Sequence, residues 1–378
     1  MSLHASPRPR SLLVCDYFIR YQTGLAEGLR ANGWEAVMVG RRHDAAFGGE
    51  PGAMRRYMDD HLGPEQRFLE IDARIRDPRG WVTSGRRRGE LHQLKPRVTH
   101  LQQCVVNDPR LLLAADPRPY GYAFTVHDVQ AHPGDSVARY RQLFLKHLLR
   151  WAGLVFVHAD RLREQLLAQT ITRAPIVVVP HGIDRGDSEP LPQLPSILFF
   201  GRIKEYKGLS VLLDALERLW RPRPDVTLTI AGEGTLPEHP ALRDPRVVVH
   251  RGHIAEREVA GLFASASIVA LPYVEASQSG VGALAKAHGR PLIATDVGGL
   301  PELVADDSGV LVPAGDADAL AQALDELLGD RLRLERMRDA AIRTMHDGAG
   351  WPMVAERTIE AYEKYLGPHA VGRRRRAG

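Results

Sequence analysis

Phe199-Phe200-Gly201-Arg202, Lys207-Gly208, Ala231-Gly232-Glu233-Gly234, Arg251-Gly252-His253-Ile254, Pro272-Tyr273-Val274-Glu275-Ala276-Ser277-Gln278-Ser279-Gly280-Val281 and Gly289-Arg290-Pro291-Leu292-Ile293-Ala294-Thr295 follow one another between residues 198 and 312. Each cluster falls where an apolar run gives way to glycine and then to a helix-like segment. The pattern predicts strands over 197–200, 227–231, 247–250, 268–271 and 292–294, with helices over 209–220, 256–264, 281–288 and 318–328. Alternation at these lengths predicts a parallel sheet wrapped by helices. The strand ends of such a sheet share one edge, and ligands bind outside it.

Two fixed cations, Arg202 and Lys207, one carboxylate, Glu275, and several glycine-exposed amides on that edge suit a sugar attached to a diphosphate. Cleaving a glycosyl phosphate builds charge on the departing diphosphate, so a catalyst needs cations already fixed there. Arginine offers a bidentate fork and lysine a point charge, a fitting pair for two phosphates. The bland alternatives are a solvated arginine, a helix-flanking lysine and a rim carboxylate. Ser277-Gln278-Ser279-Gly280-Val281 opens a helix whose free amides and positive dipole end suit a phosphate, or it is an ordinary N-cap turn.

The ordered series resembles retaining glycosyltransferase family 4, the glycosyl transferases of group 1. The resemblance runs strongly over 123–323 and weakly before it. It implies an α/β protein of the GT-B fold, two Rossmann-like domains with parallel sheets facing a central cleft. The expected parts are an acceptor-side domain over 1–185, a nucleotide-sugar domain over 186–350, a helix over 351–366 crossing back to the first domain, and a basic tail over 367–378. By the same resemblance Arg202 and Lys207 hold the donor diphosphate, and Glu275 contacts the sugar hydroxyls. Gly201, Ser277, Gln278, Ser279, Gly280 and Val281 then line the phosphate turn, while Gly232, Glu233, Gly234, His253 and Ile254 approach the nucleobase and ribose. His127, at the end of the strand-like run 123–126, matches a histidine that faces the sugar from the first domain. There an imidazole would hydrogen-bond the sugar, and the backbone carbonyl would stabilise charge at the anomeric carbon.

Two departures qualify the resemblance. The family's Glu-x7-Glu lacks its second member, because the count from Glu275 ends at Ala283 and the register from Gly289-Arg290-Pro291 points to Leu284. Ribose must then be held in another way. In the N-terminal half, strands are expected over 12–15, 36–39, 98–101, 123–126, 154–157 and 177–179, with helices over 24–31 and 137–151 and an irregular region over 48–96. The first turn, 16–22, carries Arg20, Tyr21 and Gln22 where many relatives have a Gly-Gly pair. These three are the acceptor-side candidates, and their handling of an acceptor cannot be copied from the family. The turn also lacks Gly-x-Gly-x-x-Gly, which weighs against a dehydrogenase.

At 378 residues the chain exceeds what one core usually supports, so two domains are expected on length alone. A 44% hydrophobic, 25% charged composition is ordinary for a globular protein, and no apolar run approaches a bilayer span. The Pro/Arg-rich start lacks the apolar stretch of a signal peptide, and the two cysteines, Cys15 and Cys104, read as buried thiols. Both point to the cytoplasm. The formal charge of +4 is partly concentrated in Arg86-Arg87-Arg88 and Arg373-Arg376. These clusters read either as solvated surface or, for the tail, as peripheral contact with an anionic membrane at its inner face. A nucleic-acid partner is not expected, since no aromatic-interleaved basic groove is present.

The expected partners are therefore a nucleotide sugar and a hydroxyl acceptor (a glycan, a lipid-linked sugar or a small metabolite), with no cofactor and no metal. Asp316-Ala317-Asp318 mimics a metal-binding Asp-x-Asp, yet it follows Pro313-Ala314-Gly315 and precedes a helix, where Asp316 reads as an N-cap. His127 with His132 has no third ligand at metal spacing. Two rival readings stay open: an inactive GT-B scaffold or sensor that binds nucleotide sugar, and another nucleotide-sugar enzyme such as an epimerase or phosphorylase.

Overall fold

The computed structural model describes residues 10–15, 18–41, 43–47, 49–63, 68–70, 78–102, 108–115, 122–127, 138–169, 171–184, 186, 188–276, 278–348 and 350–367. They divide into two compact units, one formed by the chain up to Gly182 together with Trp351 onward, the other by Ile183–Gly350.

In the first unit strands and helices alternate as β1 (Arg10–Cys15), α1 (Ile19–Ala31), β2 (Glu35–Gly40), α2 (Ala53–Leu62), β3 (Phe68–Glu70), α3 (Pro78–Gln93), β4 (Val98–Gln102), α4 (Pro109–Ala115), β5 (Tyr122–Thr125), α5 (Ala138–Trp151), β6 (Leu154–Val157), α6 (Asp160–Ala168) and β7 (Ile176–Val178). The sheet order is β3-β2-β1-β4-β5-β6-β7, and every pairing is parallel. Parallel strands covered by helices on both faces read as near-continuous apolar runs. Leu12, Leu13, Val14, Val37, Met38 and Val39 accordingly have 1% exposure or less.

The second unit runs β8 (Ser196–Phe200), α7 (Leu209–Leu219), β9 (Thr227–Gly232), β10 (Val247–Arg251), α8 (Glu256–Ala264), β11 (Ile268–Leu271), α9 (Gly280–Ala287), β12 (Leu292–Thr295), α10 (Leu300–Val304), β13 (Gly309–Val312), α11 (Ala317–Gly329) and α12 (Arg331–Gly348). Its sheet order is β10-β9-β8-β11-β12-β13, again wholly parallel. The order reverses between β8 and β11, and such a switch point is where ligands bind in open α/β sheets. The final helix, α13 (Trp351–Leu366), belongs to the first unit and buries Trp351, Val354, Ala355 and Tyr362 in the core that also holds Leu25 and Leu29 of α1.

Several elements differ from the sequence expectation. Helix α1 begins at Ile19, so Arg20, Tyr21 and Gln22 form its first turn and not a loop; Tyr21 and Gln22 point into the core, which holds the turn helical. The region 48–96 contains a short edge strand, β3, besides its helices. Helices α4, α6, α10 and α12 and strand β13 were not anticipated. Helix α12 hides its apolar stripe, with Leu334, Met337 and Ala341 buried, inside an arginine-rich sequence. Among the described residues no helix is long and apolar enough to cross a membrane.

Candidate functional site

In the second unit the strand ends meet around Lys207. Gly201 follows β8 and Gly232 ends β9, and Gly201 N–H donates to Ala231 O at 2.8 Å while Ile203 N–H donates to Glu233 O at 2.7 Å. The loops lie so close that a Cβ on Gly232, whose φ is +151°, would fall 1.9 Å from the Gly201 carbonyl oxygen. Glu205–Lys207 then forms a 3-10 turn closed by Gly208 at φ +68°. There the missing side chain admits the Pro272 carbonyl, to which a Cβ would come within 1.8 Å. Glycine at these two places lets the loops after β8, β9 and β11 share one small volume.

Lys207 is 8% exposed, and its Nζ donates to Tyr273 Oη at 2.8 Å. Among the described residues its ammonium has no carboxylate partner. Burial lowers Lys207 to about 8, opposed by Tyr206 and reinforced by the Arg202 charge. Tyr273 Oη lies 3.1 Å from Ser279 Oγ, and Ser279 caps α9 by accepting from Gly282 N–H at 3.1 Å. A Cβ placed on Gly201 would touch Val281 Cγ2 at 3.1 Å and come 3.9 Å from Lys207 Nζ, which puts the lysine at the first turn of α9. Gln278 Nε2 is buried there with no acceptor among the described residues. A buried cation, an orphan donor and a helix N-terminus at one spot form a receptor for an anion.

The other candidates of this unit sit on the same edge. Arg202 is exposed directly after Gly201, Glu275 is half-buried between Tyr273 and α9, and Gly280 and Val281 open α9. Gly234 follows β9 and is exposed with Glu233; His253 is exposed and Ile254 half-buried after β10. Ser277 and Arg373–Arg376 lie outside the described residues, as does His132. Ala283 and Leu284, the two positions at which the family's second glutamate would fall, are buried and half-buried in α9. Asp316 Oδ1 accepts from Ala319 N–H at 2.9 Å and caps α11, and Asp318 pairs with Arg218 at 2.5 Å. Both carboxylates of that Asp-x-Asp thus have structural partners.

In the first unit His127 follows β5 and is buried, stacked on Phe18 with ring centroids 4.0 Å apart and edged by Tyr21 at 5.3 Å. Its Nε2 lies 2.9 Å from the Gln102 amide and its Nδ1 3.2 Å from His158 Nε2. His158 Nδ1 faces the Val179 carbonyl at 2.9 Å. A carbonyl only accepts, so His158 carries its proton on Nδ1 and its Nε2 accepts from His127 Nδ1–H. Neutral His127 then offers a lone pair at Nε2. Turning the Gln102 amide so that its otherwise unpartnered Nε2 faces that lone pair completes the chain. Burial, then the neighbouring His158, His181 and His100, hold His127 well below the usual histidine range. Both ring nitrogens of His127 are thus committed inside the unit. Arg20 is exposed, its guanidinium over the rings of Phe47 and Tyr57 at 4.9 and 4.8 Å. Tyr21 and Gln22 are buried, and the Gln22 amide has no hydrogen-bond partner among the described residues.

Sequence reasoning missed Tyr273, Gln102 and His158. Their roles arise from contacts made 66, 25 and 31 residues away, and no local pattern marks them.

Profiles of two families match the chain: "Glycosyltransferase Family 4" over residues 20–187 and "Glycosyl transferases group 1" over residues 194–330. Over 190 residues the chain is 34% identical to the D-inositol 3-phosphate glycosyltransferase of Paenarthrobacter aurescens, covering 47% of this chain and 46% of the relative. The chain spans about half the length of the curated relatives it matches. Among solved structures it resembles sucrose-phosphate synthase from Thermosynechococcus elongatus, with a TM-score of 0.72 at 20% identity over 94% of this chain and 99% of that one. Anabaena HepE in complex with UDP-glucose gives 0.73 at 17% identity, with the same coverage. The two parallel-sheet units thus have the GT-B architecture of these neighbours.

Proposed function

The chain belongs to the group 1 glycosyltransferases, and on that premise we propose that it moves a hexosyl group from a nucleoside-diphosphate sugar to a hydroxyl acceptor, with retention at the anomeric carbon and without a metal. The observation that carries this reading is the buried Lys207 ammonium at the start of α9, which has no carboxylate partner among the described residues. Arg202 and Lys207 take the charge that grows on the leaving diphosphate. Glu275 binds the sugar hydroxyls, and the His127 main chain stabilises positive charge at the anomeric carbon. The departing phosphate oxygen accepts the proton of the incoming hydroxyl on the same face of the sugar, so the glycosyl–phosphate bond breaks as the new glycosidic bond forms. The commitment of Asp316 to a helix cap and of Asp318 to Arg218 supports a metal-free site. Of the three acceptor-side candidates only Arg20 is exposed and keeps that place in this reading; Tyr21 and Gln22 are buried in the core of the first unit.

The missing second glutamate of the family, with neither Ala283 nor Leu284 acidic, favours a second reading, a nucleotide-sugar-binding protein without transferase activity. A thermal-shift screen against UDP, GDP, ADP and their common sugars, each with and without EDTA, tests the donor site, because a ligand of the folded state raises the midpoint by mass action. One preferred nucleotide unaffected by EDTA supports the site. A preferred sugar nucleotide that is consumed on adding hydroxyl acceptors separates the enzyme from the scaffold. No shift with any of them defeats the donor-site reading.

A further inference from the structure

We propose that Tyr273 is a positioning residue of the diphosphate site, its phenol hydroxyl holding the Lys207 ammonium beside the N-terminus of α9. The inference rests on the donor-site reading above and adds to it the residue through which the cation is aimed.

A buried lysine needs a partner to fix its long side chain, and the choice of partner has consequences. A carboxylate would neutralise the ammonium and repel an incoming diphosphate. A hydroxyl accepts one of the three ammonium protons and leaves the charge in place. Tyr273 meets that requirement. Burial pushes its phenol up to about 12, with the Ser279 hydrogen bond working against the rise, so it stays neutral across the working range. Its ring is 2% exposed, and its carbonyl accepts from Thr295 Oγ1 at 2.5 Å. The next residue, Val274, donates its N–H to Tyr206 O at 2.8 Å, tying the segment to the turn that carries Lys207.

The hydrogen bonds order themselves from these donors. Lys207 Nζ–H donates to Tyr273 Oη, and the phenol proton is then directed at Ser279 Oγ. Ser279 Oγ also accepts from Gly282 N–H, which leaves the serine proton to be offered to a ligand. One phenol therefore links the cation after β8 to the cap of α9, and the two phosphate-binding features are held as a unit.

A double-mutant cycle measures this coupling. Calorimetric affinities for UDP, GDP and ADP are compared in the wild type, Tyr273→Phe, Lys207→Ala and the double variant, at pH 7 and pH 9. Tyr273→Phe keeps the buried ring and removes only the hydroxyl. The expected result is a loss of about 10- to 100-fold for the preferred nucleotide, the range of one hydrogen bond to a charged group. That loss disappears when Lys207 is already alanine. Between pH 7 and pH 9 the phenylalanine variant loses more affinity than the wild type, because its ammonium has lost a stabilising acceptor; a merely structural role would not move this dependence. Wild-type affinity in Tyr273→Phe, or an equal loss in the Lys207→Ala background, overturns the proposal while leaving the donor site standing. Unchanged binding by Lys207→Ala, or no binding by the wild type, overturns the donor-site reading and the role of Tyr273 with it.

Discussion

The α-carbon of Gly232 lies against the carbonyl oxygen of Gly201, where a Cβ would come within 1.9 Å. The hydrogen bonds between the two loops depend on this contact, since Gly201 N–H and Ile203 N–H both donate across it. Gly232→Ala must either push the loops apart or strain a backbone held at φ +151°. Combining an unfavourable backbone with overpacking costs roughly 2–4 kcal/mol. The variant is expected to melt well below the wild type and to lose nucleotide binding. An unchanged midpoint with unchanged binding would show that the loops have slack that the geometry does not suggest.

The sheet of the second unit was legible because each of its strands from β8 to β12 is a compact apolar run ended by glycine or proline-containing turns, and the edge strand β13 was the exception. Gly309–Val312 is no shorter than β11 or β12, but it opens on glycine and buries only Val312 fully, so little separates it from a loop. Helix α12 escaped notice for the opposite reason, its core contacts being spaced three and four residues apart among arginines that stay in solvent. At the site, Arg202 and Lys207 announce themselves as cations after glycine-bearing strand ends. Tyr273 does not, because what it does depends on Lys207, 66 residues earlier. The imidazole of His127 was expected to face a sugar; its burial under Phe18 is a tertiary fact that no local pattern encodes.

Arg202→Ala and Lys207→Ala separate the two cations of the diphosphate site. Arg202 is exposed, so its removal should leave the melting point unchanged and weaken nucleoside-diphosphate binding by about 10- to 100-fold, the range for charge-assisted bonds. Lys207→Ala should weaken binding as much or more. Affinity should also depend on pH in a definite direction. The ligand-free ammonium loses its proton near 8, so binding is strongest below that value and falls as pH rises through it. Isothermal titration from pH 6.5 to pH 9.5 checks this. Near-wild-type affinity in both variants, or affinity that rises with pH, would remove these residues from the diphosphate site.

Ala283→Glu tests whether the family's missing carboxylate can be restored at the first of its two candidate positions, Ala283 and Leu284. Ala283 is 6% exposed on α9, so an added glutamate enters an environment built for a methyl group. Burying a carboxyl group without a partner costs about 3 kcal/mol. Lowered stability without tighter nucleotide binding is the expected outcome, measured by thermal melting and calorimetry together. A variant that melts with the wild type and binds nucleotide more tightly would instead mark this position as a ribose contact in waiting.

The buried histidines of the first unit make its stability depend on pH. Burial lowers His100 to about 3; burial, reinforced by His181, lowers His158 to about 3. His127 is held well below the usual range by burial and by its histidine neighbours. An unfolded histidine titrates near 6.5. Each folded value is therefore depressed, and the unfolded chain takes up protons first as pH falls. Stability from these groups is complete above about 6.5 and is lost progressively below it, towards the folded values. Three such groups give a slope of roughly 4 kcal/mol per pH unit once the unfolded histidines are charged, near pH 5.5 and below. Denaturant titrations at pH 7.5, 6.5, 5.5 and 5.0 should show little change between the first two and a steep fall over the last two. A flat profile would mean that protons reach this cluster in the folded protein, and the ordered chain from Val179 through His158 and His127 to Gln102 would have to be abandoned.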